Sequence, residues 1–390
     1  MCMENLRKRK VEQAFIEHYG NQPIIWVQAP GRVDLMGSHT DYNEGFVLTE
    51  AIERNTWIAA RPRQDAVVRV SSQNIEGGAE FSLAVISYDE VSPWSNYIRG
   101  VAHILQTEGY SLNGFDGLIH STIPFRSGLS SSAALEVATA MLFKTLGDLD
   151  ISKLDIAIYC QRAENEFVGM ECGILDQYSS AMGKEGNVLL LDCRSTTSEV
   201  VPLAPGLMVM ICDTKAEREL TGSEYSERRA DCEKGAKALQ TTFPEIKTLR
   251  DVTIDQLEAQ RNNLSEVVAK RSQFVIEENQ RVIDMAMALE VGNFQAIGSL
   301  AKASFIGARD LYEISSPEME AMMAAMSSAP GVIGARQAGA GFGGCMVAII
   351  DGQKTVEFSK YVIEQYQQVT GIMAEVYKAS ASSGAGVLNF

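Results

Sequence analysis

The chain has 390 residues, 46% of them hydrophobic, seven cysteines and a formal net charge of −16. That length is ample for a large buried core and fits two or three domains at roughly 100–200 residues each. The acidity argues against nucleic acid and anionic membranes as partners, because both demand a basic face.

No apolar run approaches the ~18 residues needed to span a membrane. The stretch from Met1 to Lys10 is charged with no apolar core behind it, so no signal peptide is expected and the compartment read is the cytoplasm. The cysteines are scattered and free of any C-x-x-C pair, which suits small buried thiols better than a disulfide framework or a zinc site.

In chain order, Ile24 to Val27 reads as a strand running into a turn at Ala29-Pro30-Gly31, and Phe46 to Ala60 is an apolar, β-branched stretch. Asp65 to Ser82 alternates loosely, as an exposed antiparallel sheet would. Helical spacing dominates from Pro93 to Glu108, from Ser131 to Leu146 and from Ser152 to Val168. Val188 to Asp192 and Leu207 to Cys212 read as short buried strands. Glu224 to Leu239 and Ser272 to Leu289 read as long amphipathic helices. A strand pair around Gly339 to Gly344 and a terminal helix from Lys354 to Gln368 complete the chain. With no repeat, low-complexity tract or obvious linker, this order predicts an α+β protein of two lobes dividing near residues 195–215.

Four segments carry candidate chemistry. In Pro124-Phe125-Arg126-Ser127-Gly128-Leu129-Ser130-Ser131-Ser132-Ala133-Ala134-Leu135, a glycine and three serines open an alanine-rich helix. Free N–H groups at such a start form an anion site, and hydroxyls there can ligate Mg²⁺ carried by a nucleotide; a plainly capped helix explains them too. No G-K-[ST] is present, so this is not a Walker A loop. Gly339-Ala340-Gly341-Phe342-Gly343-Gly344 contains G-x-G-x-x-G, but the run Cys345 to Ile350 after it is strand-like, and the dinucleotide-binding reading needs a helix there. What remains is a loop that lets backbone approach a ligand or a neighbouring segment closely. Gly31 to Asn43 crowds Arg32, Ser38, His39, Asp41 and Tyr42 between two strands, a density of donors and acceptors that suits a polyhydroxylated ligand. Finally, Glu164 lies late in an amphipathic helix and Asp176, after Cys172-Gly173-Ile174-Leu175, opens the next apolar segment; alone, each is an ordinary helix residue.

Together and in order, these segments resemble galactokinases of the GHMP kinase superfamily. The family's opening signature resembles G-R-V-N-L-I-G-E-H-T-D-Y-N-x-G-F-V-L, and this chain has GRVDLMGSHTDYNEGFVL. PFRSGLSSSA, CGILDQ, SEYSERRADCE and GAGFGG match the remaining family motifs at similar spacing, from about Val27 to the last strand. The resemblance implies a two-lobed GHMP kinase fold. Its N-terminal lobe, residues 1–200, would be like ribosomal protein S5, and its C-terminal lobe, 201–390, would be ferredoxin-like. It implies an ATP-dependent sugar-1-kinase using Mg²⁺, a monomer or weak oligomer with no nucleic-acid or membrane partner. Asp176 would be the catalytic carboxylate with Arg32 beside it. Ser38, His39, Asp41, Gly173 and Tyr225 would join Arg32 and Asp176 around the sugar. Gly128, Leu129, Ser130, Ser131 and Ser132 would wrap the phosphates, Trp94 would border the adenine, and Gly341, Gly343 and Gly344 would close over the phosphate. Ser132 and Glu164 would hold the metal.

The chain departs from the family pattern in five places. Ser38 stands where a Glu resembles a reader of the sugar's C6 hydroxyl, so L-arabinose, which lacks C6, or galacturonate, which carries a carboxylate there, are alternatives to galactose. Asp34 replaces Asn, and Arg126 replaces Gly. Thr49-Glu50 and Gln337-Ala338 stand where Pro-Met and Met-Thr are common. A non-catalytic sugar and ATP sensor on the same scaffold would show damage at the phosphate loop or the catalytic Asp, and both are intact here. A homoserine or mevalonate kinase fits the HTDYN and SEYSERR segments less well.

Overall fold

The computed structural model describes residues 3–125, 127–216 and 222–390. The larger of two sheets is built from β1 (Ile25–Met36), β2 (Phe46–Pro62), β3 (Val67–Ser72), β4 (Gly78–Ser82), β5 (Phe115–Ser121), β6 (Asn187–Asp192) and β7 (Thr197–Pro202). The smaller holds β8 (Leu207–Asp213), β9 (Val332–Gln337), β10 (Cys345–Asp351) and β11 (Glu375–Lys378), in the order β11-β8-β10-β9. The last strand, β12 (Gly386–Val387), returns to the larger sheet beside β1, whose order is then β12-β1-β2-β5-β3-β4 with β6 on β2 and β7 outside it. The long strand β2 serves two neighbours along one edge: Phe46–Thr49 pairs with β6 and Thr56–Pro62 with β5.

Apolar residues set the layers. Helices Asn96–Thr107, Ser131–Gly147, Lys153–Arg162 and Leu175–Met182 cover one face of the larger sheet through Val101, Val137, Phe143, Ile156 and Tyr178, all nearly inaccessible. A second core joins the two sheets: Val33, Leu35 and Leu48 meet Val209, Val347 and Ile349 together with Val282 and Leu289 of helix Glu266–Val291. The other face of the smaller sheet is closed by helices Pro317–Ser327 and Thr355–Thr370 through Met319, Met322, Phe358 and Tyr366. Among the described residues no helix is long and apolar enough to cross a membrane.

Three expectations change. Ala29-Pro30-Gly31 is not a turn, because β1 runs straight through it. Proline punctuates turns, but it also occupies strand irregularities, where no N–H is required. Here the register against β2 shifts between Pro30 and Arg32 and again between Asp34 and Met36. The Pro30 carbonyl is taken by Ser180 Oγ at 2.7 Å. The hairpin of β3 and β4 is antiparallel as expected, yet β3 lies parallel to β5. Helix 152–168 is two elements: an α-helix Lys153–Arg162, opened by a Ser152–Asp155 capping box, and a π-helical turn Ala163–Val168. The reading in chain order assigned nothing to the helices Met3–Tyr19, Phe294–Asp310 and Pro317–Ser327.

Candidate active site

The bulged part of β1 sets out the site. Arg32 and Asp34, two residues apart, share one side of the strand, and both line a cavity of about 610 Å³. Gly31 has room for no side chain, since a Cβ there would meet the Leu129 carbonyl oxygen at 2.6 Å. This close approach lets the Arg32 N–H bond that carbonyl at 3.2 Å, while Arg32 Nη1 donates to the Gly128 carbonyl at 2.6 Å.

Arg32 also holds Asp176. Its Nε lies 2.8 Å and its Nη2 2.5 Å from Asp176 Oδ1. The Ser130 hydroxyl donates to Asp176 Oδ2 at 2.5 Å. Asp176 sits in the first turn of helix Leu175–Met182, where the helix dipole favours a negative charge. Burial opposes the charge of Arg32, but Asp176, Asp34 and Asp41 together outweigh it and lift its pKa above the usual value. Asp176 is thus oriented at both oxygens while its side chain stays 27% exposed toward the cavity.

Ser130 has φ 58°, a left-handed conformation, and precedes helix Ser131–Gly147 without capping it. Its hydroxyl is spent on Asp176, so the first amides of that helix keep no side-chain cap from Ser130, the arrangement that favours an anion. Ser131 and Ser132 line the cavity beside them. Glu164, in the π-turn, accepts from Gln177 Nε2 at 2.6 Å and from Cys172 Sγ at 3.4 Å, and Ser132 also hydrogen-bonds to it. Burial and the Asp176 charge push its carboxyl up to about 7, because none of these partners is a cation. Gln177 Nε2 also reaches Glu136, a fully buried acid whose pKa burial and Glu164 raise well above the usual range.

On the opposite wall, Asp41 lies against Gly173, where any Cβ would overlap its carboxylate. Burial and Asp176 push Asp41 up to about 6. His39, in a left-handed conformation at φ 65°, links two loops. Its Nε2 meets the Ala340 carbonyl at 2.9 Å, and its Nδ1 meets Tyr42 Oη at 2.7 Å. Tyr225 packs on the His39 ring at a centroid distance of 5.3 Å. The Gly-rich segment leans on the phosphate loop: Gly344 leaves no space for a Cβ against Ser127, and Cys345 N donates to the Ser127 carbonyl at 2.9 Å.

Arg32, Ser38, His39, Asp41, Gly128, Ser130, Ser131, Ser132, Glu164, Gly173, Asp176 and Tyr225 therefore line one cavity. Five residues to which the resemblance gave a site role do not. Leu129 is a core residue, 1% exposed, and only its carbonyl faces Arg32. Trp94 packs against the core of the larger sheet, and the cavity is bordered there by Tyr97. Gly341 lies on Ile314, Gly343 N–H points to Met319 Sδ at 3.1 Å, and the Gly344 carbonyl accepts from Thr214; the loop meets the cavity through Gly339 and Ala340 instead. Arg126 lies outside the described residues. Sequence reasoning missed Tyr97, Gln177 and Arg336. Of these, only Gln177, next to Asp176 in CGILDQ, had a local signal.

The chain matches the GHMP kinases N terminal domain over residues 96–184, the GHMP kinases C terminal domain over 285–368 and the galactokinase galactose-binding signature over 13–62. It is 42% identical over 377 residues to a galactokinase of Roseiflexus sp. (strain RS-1), covering 97% of this chain and 96% of that one. The chain belongs to the galactokinase family of the GHMP kinases. Its fold superposes on the crystal structure of Lactococcus lactis galactokinase complexed with galactose with a TM-score of 0.94 at 34% identity, covering 97% and 99% of the two chains. The mevalonate kinase of Methanococcus jannaschii shares the fold at a TM-score of 0.64 and 15% identity, covering 93% and 99%. As a galactokinase-family member this chain is an ATP-dependent phosphotransferase with a sugar hydroxyl as acceptor.

Proposed function

We propose that the protein transfers the γ-phosphoryl group of ATP to the anomeric hydroxyl of D-galactose, giving ADP and galactose 1-phosphate. The observation that carries this reading is Asp176, held by Arg32 on one oxygen and Ser130 on the other, at the edge of a cavity that also contains the phosphate-loop serines. The anomeric oxygen attacks the γ-phosphorus while the bond to the ADP oxygen breaks. Asp176 takes the hydroxyl proton late in that step. The transition state is loose, so orientation of the acceptor and neutralisation of charge matter more than a strong base. Arg32 supplies positive charge beside the transferring group and fixes the orientation of the Asp176 carboxylate.

Ser132 and Glu164 are the residues that would hold Mg²⁺. Glu164 fits that role, since it is a buried carboxylate with no cationic partner and the Ser132 hydroxyl on it. Among the described residues no group of three or more His, Cys, Asp or Glu forms a metal cluster. Two protein oxygens suit an ion that arrives on a nucleotide and keeps phosphate and water ligands. When bound, the ion would offset the charge of the nucleotide phosphates.

Asp41, Gly173 and Tyr225 form the sugar wall in this reading, and the chain acts in the cytoplasm as a monomer or weak oligomer of two lobes, 1–200 and 201–390. A coupled ADP-release assay on the purified chain with Mg²⁺·ATP and galactose tests it. Turnover with galactose is expected, and Asp176→Asn should lower kcat by at least roughly 100-fold with little change in sugar binding. Near-normal turnover in that variant would remove Asp176 from the chemistry.

A further inference from the structure

Behind the cavity, one buried amide joins two carboxyl groups. Gln177 follows Asp176 in the first turn of helix Leu175–Met182 and is fully buried. Its Nε2 donates to Glu164 Oε2 at 2.6 Å and to Glu136 Oε2 at 3.0 Å, so both N–H groups of the amide go to acids. Cys172 Sγ donates to the same Glu164 Oε2 at 3.4 Å, and Asn165 Oδ1 pins Cys172 by taking its backbone N–H at 2.9 Å. Gln177 and Cys172 thus gather on one oxygen of Glu164. The Glu164 backbone is fixed as well, since its carbonyl accepts from Gly169 N at 2.9 Å and Met170 N at 3.0 Å at the end of the π-turn. Gln177 Oε1 and Glu136 Oε1 are buried with no hydrogen-bond partner among the described residues. Turning the amide over would set its oxygen against Glu164 Oε2, so the NH₂ group stays between the acids even though Oε1 is left without a donor.

We infer that Gln177 positions the carboxylate of Glu164: by holding Oε2 it reserves the other oxygen, with the Ser132 hydroxyl, for the cation that arrives on the nucleotide. Glu136 in turn keeps the Gln177 amide the right way round. The inference rests on the reading above, in which Ser132 and Glu164 hold that cation. Neither Gln177 nor Glu136 lines the cavity. Gln177 acts through Glu164 and Glu136 acts through Gln177, so both are positioning residues. Partners of this outer kind set metal affinity by roughly 10- to 100-fold. Because Asp176 and Gln177 are consecutive, the helix turn that presents Asp176 to the acceptor also aims the amide at Glu164.

The test titrates Mn²⁺, a paramagnetic stand-in for Mg²⁺, into the full chain with a non-hydrolysable ATP analogue. Bound ion is read by electron paramagnetic resonance, and galactose binding is measured separately by calorimetry. Gln177→Met keeps the length of the side chain and removes the amide. Its Mn²⁺ affinity should fall at least about tenfold, while galactose binds nearly as tightly as to the native chain. Glu136→Leu strips one Gln177 N–H of its acceptor and should lower Mn²⁺ affinity at least about fivefold. Glu136→Gln restores an acceptor oxygen and should recover most of that loss. A merely structural role would weaken metal and sugar binding together and would not separate the two Glu136 variants. Unchanged Mn²⁺ affinity in Gln177→Met, parallel losses of metal and sugar binding, or a Glu136→Gln no better than Glu136→Leu would each overturn the inference. Should Gln177→Met not fold, the two Glu136 variants decide it. Glu164→Ala tests the premise separately: if that variant binds Mn²⁺ as the native chain does, the metal reading falls and the inference falls with it.

Discussion

Asp41 titrates close to neutrality because burial and the neighbouring Asp176 charge both oppose its ionisation, while a backbone hydrogen bond from Tyr42 and the Arg32 charge only partly offset them. Its folded pKa of about 6 lies above the ordinary carboxylate value, so the stability it contributes to the ligand-free protein is fully present below that ordinary value. That contribution is lost as pH rises through about 6. Sugar binding should run the other way, since a carboxylate accepts hydrogen bonds from sugar hydroxyls better than the neutral acid. Between pH 7 and pH 5 the ionised fraction of a group titrating at about 6 falls roughly tenfold. The KM for galactose should rise by a similar factor over that range, more than kcat falls. Steady-state kinetics on the native chain and on Asp41→Asn checks this: the variant should have a raised KM that no longer depends on pH in this window. A flat KM in the native chain would mean that Asp41 binds sugar as the neutral acid.

Strand β9 and the Gly-rich loop after it show what a second-sheet element accepts and what it resists. Gln337 ends β9 opposite Met346 of β10, is 1% exposed, and neither amide atom has a hydrogen-bond partner. An unpartnered buried amide is destabilising, and an apolar side chain of similar length would remove that penalty. Gln337→Met should therefore stabilise the protein by roughly 1–2 kcal/mol, seen as a higher midpoint in urea unfolding, with kcat/KM for galactose little changed. A lower midpoint would show that the amide has a partner, such as a bound water. The same strand marks the limit of what was legible in the sequence. Gly31 to Asn43, Gly128 to Ser132 and Cys172 to Asp176 stood out because their polar residues and glycines are contiguous, and all three segments line the cavity. Arg336 sits in an apolar strand, and its partner Ser38 lies 298 residues away, a pairing that no local pattern encodes. The π-turn that carries Glu164 was read as plain helix because one widened turn barely disturbs a 3.6-residue period. Pro30-Gly31 suggested a turn because both residues punctuate chains, whereas Gly31 is needed where β1 presses on the Leu129 carbonyl.

At the scale of the molecule, the two sheets are joined by apolar packing and by one buried ionic network. Arg336 comes from the smaller sheet, Asp34 from the larger, Glu278 from helix Glu266–Val291 and Ser304 from helix Phe294–Asp310. Glu278 Oε1 also accepts from Ser304 Oγ at 2.7 Å and from Gly37 N at 3.2 Å, and its other oxygen takes Arg281 Nε at 2.8 Å. A network of this kind adds little over well-packed apolar residues, but breaking it from one side leaves buried charge without compensation. Arg336→Ala would strip Asp34 of its cation and leave Glu278 with Arg281 alone, and it should cost roughly 3–5 kcal/mol in urea unfolding. Arg336→Met combined with Asp34→Asn and Glu278→Gln removes all three charges together and should recover most of that loss. Because Asp34 lines the cavity, the single variant should also raise the KM for galactose more than it lowers kcat. A single variant as stable as the native chain would mean that water or a neighbouring group replaces the guanidinium, and that apolar packing alone holds the two sheets in register over the site.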